Sequence, residues 1–150
     1  MNRSIRTACL KGLWLMLLLL LLGVLPAAAQ SGRYRFAMEW ERAGLTGLCV
    51  VKSDGEGFKG AVVNEFGISY LSFRCDGRRL ELQKAVPPFC DRPSLSHMLE
   101  ADLYCLLTGR IGAGQLRRTA WSEAADGTRM LYDRRSRITF KLKPMESIDR

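Results

Sequence analysis

Side chains able to carry out chemistry are few in this chain, and their spacing matches no common catalytic site. There is one histidine, His97, and none of the five cysteines forms a C-x-x-C pair, so no zinc-ligand spacing is present. No serine or cysteine lies in a sequence context typical of a nucleophile. The glycine-rich stretch 109–114 lacks the lysine and hydroxyl residue of a phosphate-binding loop and is expected to be a flexible connection. We therefore expect a protein without catalysis, metal or cofactor.

Asp102 is the one titratable residue whose position is unusual. A helix is predicted from about Ser94 to Leu107, ended by Gly109. Asp102 falls in the middle of its apolar stripe, where an unpaired carboxylate would be costly. The predicted stripe consists of Leu95, Met98, Leu99, Leu103 and Leu106. Asp102 is therefore expected to pair with an arginine from the sheet or to line a polar spot in a cavity. The alternative is a rotated helix with Asp102 in solvent.

The N-terminus has the three-part pattern of a secretory signal. Basic residues precede the apolar run Leu13 to Leu25, and Pro26 to Ala29 offers an Ala-x-Ala cleavage site. The run is shorter than the about 20 residues that usually span a membrane. We expect residues 1–29 to be a signal peptide and residues 30–150 a single periplasmic domain, an uncleaved anchor being the alternative. No cysteine follows the run, so acylation at a lipobox is not expected.

Charge and cysteine content fit an exported protein. Beyond residue 29 the chain carries 20 Lys and Arg against 15 Asp and Glu. This favours anionic membrane surfaces or acidic partners over nucleic acid, simple solubility being the alternative. Four cysteines remain there, either paired as disulfides or buried as small hydrophobic residues. Helix length and strand spacing restrict any bridges to Cys75–Cys90 with Cys49–Cys105, or Cys49–Cys90 with Cys75–Cys105.

Strand and turn signals predict an antiparallel sheet with a helix inserted. Five strands precede the helix: Tyr34 to Trp40, Leu45 to Lys52, Phe58 to Val63, Ile68 to Cys75 and Arg78 to Lys84. Three follow it: Leu116 to Ser122, Thr128 to Tyr132 and Arg137 to Lys143. The fold class is α+β, a mainly antiparallel sheet curved into an incomplete barrel and capped by the helix on its apolar face.

Turn chemistry sets the expected register. Asn64 to Gly67 suits a type I turn with a glycine bulge, pairing Val63 with Ser69 and Ala61 with Leu71, and leaving Phe66 at the tip. Asp76-Gly77 suits a two-residue hairpin loop, pairing Phe73 with Leu80. One apolar face then collects Ala61, Val63, Leu71, Phe73, Leu80 and Leu82. The helix either interlocks with this face or stands off to leave a tapered cavity, and we predict the second arrangement.

The stretch GLCVVKSDGEGFKGAVVNEFGISYLSFRCDGRRLEL, Gly47 to Leu82, is similar to the central strands of LolB-like exported proteins. The chain thus resembles the bacterial LolA/LolB lipoprotein-localisation superfamily. The resemblance implies an incomplete barrel closed by helices around an apolar cavity for acyl chains. It also implies a protruding loop with an apolar tip that meets the membrane, a position that Phe66 would occupy. This chain departs from LolB in lacking a lipobox and in showing only one strong helix.

These observations predict a non-catalytic cell-envelope protein, most simply a monomer, that binds a lipid or an acylated lipoprotein. The alternative is an exported protein-binding module with a solid core. The expected acyl-chain site is Ala61, Val63, Leu71, Phe73, Leu80, Leu82, Met98, Leu99, Asp102 and Leu103. The expected contacts with an anionic membrane or partner are Phe66, Arg134, Arg135, Arg137 and Lys141.

Overall fold

The computed structural model describes residues 31–146, so the expected signal peptide at 1–29 lies outside the described residues. The elements are β1 (Gly32–Trp40), β2 (Ala43–Asp54), β3 (Gly57–Val63), β4 (Ser69–Cys75), β5 (Leu80–Lys84), α1 (Pro93–Thr108), α2 (Ala113–Leu116), β6 (Thr119–Glu123), β7 (Arg129–Asp133) and β8 (Ile138–Pro144). The predicted strands and long helix are present, with small differences at their ends. The short helix α2 was not predicted. It includes part of the expected connection and Leu116, the expected first residue of the next strand, so that β6 begins at Thr119.

The strands form one antiparallel sheet in the order β5-β4-β3-β2-β1-β8-β7-β6. The sheet is curved but not closed into a barrel, and α1 packs on one of its faces, which confirms the predicted α+β class. The first strand lies inside the sheet, because β1 pairs with both β2 and β8.

Helix α1 extends one residue beyond the predicted range at each end, from Pro93 to Thr108. Pro93 occupies the first turn, where a missing N–H costs no helical hydrogen bond. Gly109 ends the helix with a left-handed φ of 70°, and its N–H donates to the Cys105 carbonyl at 2.8 Å. Leu99, Leu103 and Leu106 are fully buried against the sheet. Burying each such side chain contributes about 1.5–3 kcal/mol, so this stripe fixes α1 on the sheet.

The β4–β5 hairpin differs from the predicted two-residue loop. Phe73 lies opposite Leu82, and the connection runs through Asp76–Arg79. The Asp76 side chain explains the longer loop, since its Oδ1 accepts hydrogen bonds from the N–H groups of Arg78 and Arg79. The shift is two residues, which preserves the face of each side chain. Leu80 and Leu82 therefore remain on the same face as Phe73.

The β3–β4 pairing contains an unexpected bulge. Val63 lies opposite Ser69 as expected, but the register shifts between Val62 and Val63, so that Ala61 faces Ser72 and Val62 faces Leu71. A one-residue shift reverses the faces of a strand. The expected placement of Ala61 and Val63 on the apolar face was therefore wrong, and Val62 occupies that face instead.

The sheet consequently has two unlike faces. The helix-covered face carries the core, which includes Phe36, Met38, Cys49, Val51, Phe58, Val62, Leu71, Phe73, Leu131, Phe140 and Leu142. The uncovered face carries the alternate residues of the same strands, among them Arg35, Ala37, Leu48, Val63 and Lys141.

The four cysteines within the described residues are free thiols. Cys49, Cys75 and Cys105 are buried and Cys90 is exposed. Burial raises the pKa of Cys49 to about 12 and that of Cys105 to about 11, so both stay neutral at physiological pH. Three of the four thus fit the alternative in which cysteine serves as a small buried hydrophobic residue.

Candidate functional site

The expected cavity between α1 and the sheet is filled by side chains. Leu71, Phe73, Leu80, Leu99 and Leu103 each expose 1% of their surface or less. A void wide enough for an acyl chain would leave the side chains that line it accessible. The expectation that α1 stands off from the sheet was therefore wrong, and these residues form a close-packed core. Leu82 and Met98 lie half-buried at its margin.

A different concavity lies on the uncovered face. It is an open groove of about 1050 Å³, a size within or slightly above the usual range for ligand pockets. The residues that line it are Arg35, Phe36, Ala37, Thr46, Gly47, Leu48, Asn64, Glu65, Phe66, Tyr70, Lys141, Lys143 and Met145. Among them, Phe36 has its side chain buried in the core on the helix-covered face. Of the predicted site residues, the groove brings together Phe66 and Lys141.

The β3–β4 turn forms one wall of this groove. Asn64 holds the turn through its Oδ1, which accepts hydrogen bonds from the N–H groups of Phe66 at 3.0 Å and Ile68 at 2.8 Å. Gly67 adopts a left-handed φ of 78°, as a glycine bulge requires. The turn leaves Phe66 79% exposed and Ile68 58% exposed. The prediction that Phe66 lies at an exposed tip is confirmed.

Three cations form the opposite wall. Arg35 on β1 lies directly across from Lys143 on β8, and Ala37 lies across from Lys141. Lys143 makes one long contact with Asp126, 3.9 Å from Nζ to Oδ2, with both side chains exposed. Cross-strand neighbours of like charge repel each other, so this wall favours an anion. Glu65 is the acidic residue among those that line the groove.

The other predicted contact residues lie at the β7–β8 turn. Arg134, Arg135 and Arg137 are exposed there, held by Asp133, whose Oδ1 accepts a hydrogen bond from the Arg135 N–H at 2.8 Å. The strand registers place this turn and the β3–β4 turn at the same end of the sheet. Phe66 and the three arginines therefore share an end of the molecule.

A buried charge cluster lies on the other side of the sheet. Asp102 is 1% exposed and its Oδ1 accepts a hydrogen bond from Arg118 Nη2 at 2.6 Å. Arg118 precedes β6, and its Nε lies 3.4 Å from Oδ2 of Asp133 on β7. Asp102 thus pairs with an arginine and does not reach solvent, but this arginine lies in the turn before β6 and not in the sheet as expected. Arg118 and Asp133 were not predicted as its partners.

Burial is the main cause that raises the pKa of Asp102 to about 8, and the nearby carboxyl group of Asp133 acts in the same direction. The neighbouring Arg118 lowers the pKa and only partly offsets these effects. The raised pKa favours the protonated form of Asp102 over the carboxylate.

His97 belongs to a different contact. Its Nδ1 lies 3.2 Å from Oε2 of Glu100, whose Oε1 accepts a hydrogen bond from the Leu82 N–H. The Glu100 carboxylate thereby satisfies a backbone donor on edge strand β5, which is a structural role. Within residues 31–146 no group of three or more His, Cys, Asp and Glu side chains is placed to hold a metal ion.

Arg35, Leu48, Tyr70 and Lys143 line the groove but were not predicted to belong to a site. Residues alternate between the two faces of β1, so Arg35 and Ala37 lie on the face that the buried Phe36 does not occupy. This alternation was the signal in the sequence that could have identified them. Their partners could not be assigned from sequence, because β8 follows β1 by about a hundred residues and gives no local sign of the pairing. No helix among residues 31–146 has the length and apolar character needed to cross a membrane.

Comparison of the chain with family models, curated proteins and solved structures finds no significant match.

Proposed function

We propose that this protein binds an anionic lipid or the acyl chain of a lipoprotein, without catalysis, in the groove on the uncovered face. The observation that carries the proposal is the groove itself, which joins a cationic wall to an apolar one. The LolA/LolB resemblance and the periplasmic location belong to the same proposal. The site differs from the one expected by that resemblance, since it lies on the opposite face of the sheet from α1.

Charge and hydrophobicity change in one direction across the strands. Arg35 lies opposite Lys143 on one side and opposite Leu48 on the other, and Leu48 lies opposite Val63. Adjacent strands are about 4.8 Å apart, so this row extends over roughly 14 Å from cation to apolar side chain. An amphiphile with an acidic headgroup fits the row, with its headgroup at β8 and β1 and its tail towards β3 and the Phe66 turn.

Reversal of charge at the cationic wall tests whether the headgroup of the bound amphiphile lies at this wall. We expect Arg35→Glu to weaken binding of a fluorescent fatty acid about tenfold, because a cation near an anionic headgroup contributes on the order of 1 kcal/mol and the reversal adds repulsion. Binding is measured by fluorescence titration. Lys141→Glu, at the neighbouring position of the same wall, should act in the same direction.

Lys52→Glu is the matched control, since Lys52 is an exposed cation on the uncovered face but does not line the groove. The control should bind the probe like the wild type. The affinity for a fatty alcohol of the same chain length, which carries no charge, should not change in Arg35→Glu. Equal weakening by Arg35→Glu and Lys52→Glu would indicate diffuse electrostatic attraction and contradict binding in the groove.

The Phe66 turn gives a second test through membranes. We expect Phe66→Ser to leave the melting temperature nearly unchanged, since substitutions of exposed residues usually change stability by no more than about 0.5 kcal/mol. Binding to vesicles that contain anionic lipid, measured by co-sedimentation, should fall. Leu116→Ser is the control, because Leu116 is 61% exposed but lies on α2, away from the groove. A large loss of stability in Phe66→Ser would show that Phe66 folds into the core.

A protein-binding module remains the second candidate, and the filled core beneath α1 favours it. Phe66 and the arginines at 134, 135 and 137 share an end of the sheet, a combination suited to an acidic protein surface with an apolar centre. If vesicles and fatty acids do not bind while Phe66→Ser abolishes capture of an acidic partner, this candidate replaces the lipid one.

A further inference from the structure

The cluster of Asp102, Arg118 and Asp133 contains two buried carboxylates and one cation. Asp133 is fully buried, Asp102 nearly so, and the Arg118 side chain is 20% exposed. Neither Asp102 Oδ2 nor Asp133 Oδ2 has a hydrogen-bond donor among residues 31–146. With both acids ionised the cluster would hold one uncompensated negative charge. A single proton shared by the two Oδ2 atoms would remove the charge and satisfy both oxygens.

The cluster joins three separate parts of the chain. Asp102 belongs to the middle of α1, Arg118 to the connection before β6, and Asp133 to the end of β7. Arg118 contacts both acids, so it links the helix to the C-terminal strands.

Other side chains face this part of α1 from the elements that pack around it. Cys105, one turn along α1, has a pKa raised by burial to about 11, and its Sγ donates to Gln115 Oε1 on α2. Arg129 on β7 donates hydrogen bonds to the carbonyls of Leu106 and Leu107 at the end of α1. Strand β5, which packs on the other side of the helix, contributes the apolar Leu80 and Leu82.

We propose that Asp102, Arg118 and Asp133 form a proton-operated clamp, in which a proton shared by the two acids holds α1 on the sheet and its loss loosens the helix. The raised pKa of Asp102 agrees with this arrangement. Stabilisation by a raised pKa is complete below the pKa of the unfolded chain, near 3.9, and is lost as pH rises through the folded value, about 8. The clamp is therefore closed in mild acid and weakened in mild alkali. It does not depend on a ligand in the groove.

Asp102→Asn tests the clamp, because asparagine has nearly the shape of a protonated aspartic acid and cannot ionise. Relative to this variant, the wild type should lose about tenfold in its folding equilibrium constant for each pH unit between about 5 and 8, measured by urea unfolding. Hydrogen-exchange protection factors of α1 amides should fall over the same range in the wild type and stay constant in the variant. Asp91→Asn, at an exposed acid ahead of the helix, should keep the wild-type profile.

Parallel pH profiles for wild type and Asp102→Asn would overturn the proposal. So would α1 protection factors that stay constant with pH while overall stability changes. If Asp102→Asn does not fold, the carboxyl carbon of Asp102 can be titrated by NMR in the wild type. A midpoint near 8 would support the clamp, whereas a midpoint near 4 would exclude it.

Discussion

Replacement of Arg118 by alanine is expected to destabilise the fold by about 3–5 kcal/mol, which is typical when one partner of a buried ion pair is removed. The reason is specific to this site. Arg118 is the cation that contacts both Asp102 and Asp133, and without it two adjacent buried carboxylates would have to take up a second proton or repel each other. The loss should therefore be larger at pH 8 than at pH 5. Urea unfolding at the two pH values measures it.

Arg117→Ala provides the matched control, because Arg117 is adjacent in sequence but exposed. Its stability should stay within about 0.5 kcal/mol of the wild type. Arg118→Lys should recover part of the loss, since lysine restores the charge but not the two-pronged geometry of the guanidinium group. If Arg118→Ala and Arg117→Ala unfold at the same urea concentration, the buried ion pairs do not contribute to stability.

The substitution Leu71→Trp is expected to destabilise the protein by about 3 kcal/mol, the upper end of the usual cost of overpacking a core. Leu71 lies on β4, and its side chain is fully buried in the core on the helix-covered face. An indole cannot enter that space without displacing α1. An open acyl-chain cavity at the same place would instead accept the larger side chain. Thermal unfolding distinguishes the two outcomes directly.

Leu48→Trp is the counterpart on the uncovered face. Leu48 is half-buried and lines the groove, so an indole should fill part of the groove at little cost in stability while reducing fatty-acid binding. Loss of probe binding in a stable Leu48→Trp variant supports the groove. The opposite result would be normal fatty-acid binding by Leu48→Trp and loss of fatty-acid binding by a stable Leu71→Trp variant. That result would indicate that the binding site is the space under α1.

Local signals were sufficient for most of the architecture. Alternation located the strands, and Gly109 marked the C-terminal end of α1. The β4–β5 loop was predicted with the wrong length, but the predicted face of each side chain was still correct. A shift by two residues keeps Leu80 and Leu82 on the same face. The bulge between Val62 and Val63 had the larger effect. A single extra residue reversed the faces of Ala61 and Val63, and no residue type in the stretch indicates it.

The candidate sites were less accessible to sequence reasoning because both depend on pairing between distant segments. The unusual position of Asp102 was evident from the helical period, but its partners depend on how α2 directs the chain before β6. The cationic wall depends on β1 meeting β8, which no turn connects. The tight packing beneath α1 is also a property of side-chain fit in three dimensions, and apolar composition alone does not distinguish a cavity from a filled core.

The sheet order has a consequence for how the domain folds. In the described residues six of the seven strand pairings join strands that are consecutive in sequence, whereas β1 and β8 belong to opposite ends of the chain. Contacts between distant segments carry the largest loop-closure entropy and are expected to form late. The β1–β8 pairing also brings Arg35 beside Lys143, so the cationic wall is completed at that step. A folding chain would thus present no finished groove until β1 and β8 had paired, and the groove would act as a mark of completed folding.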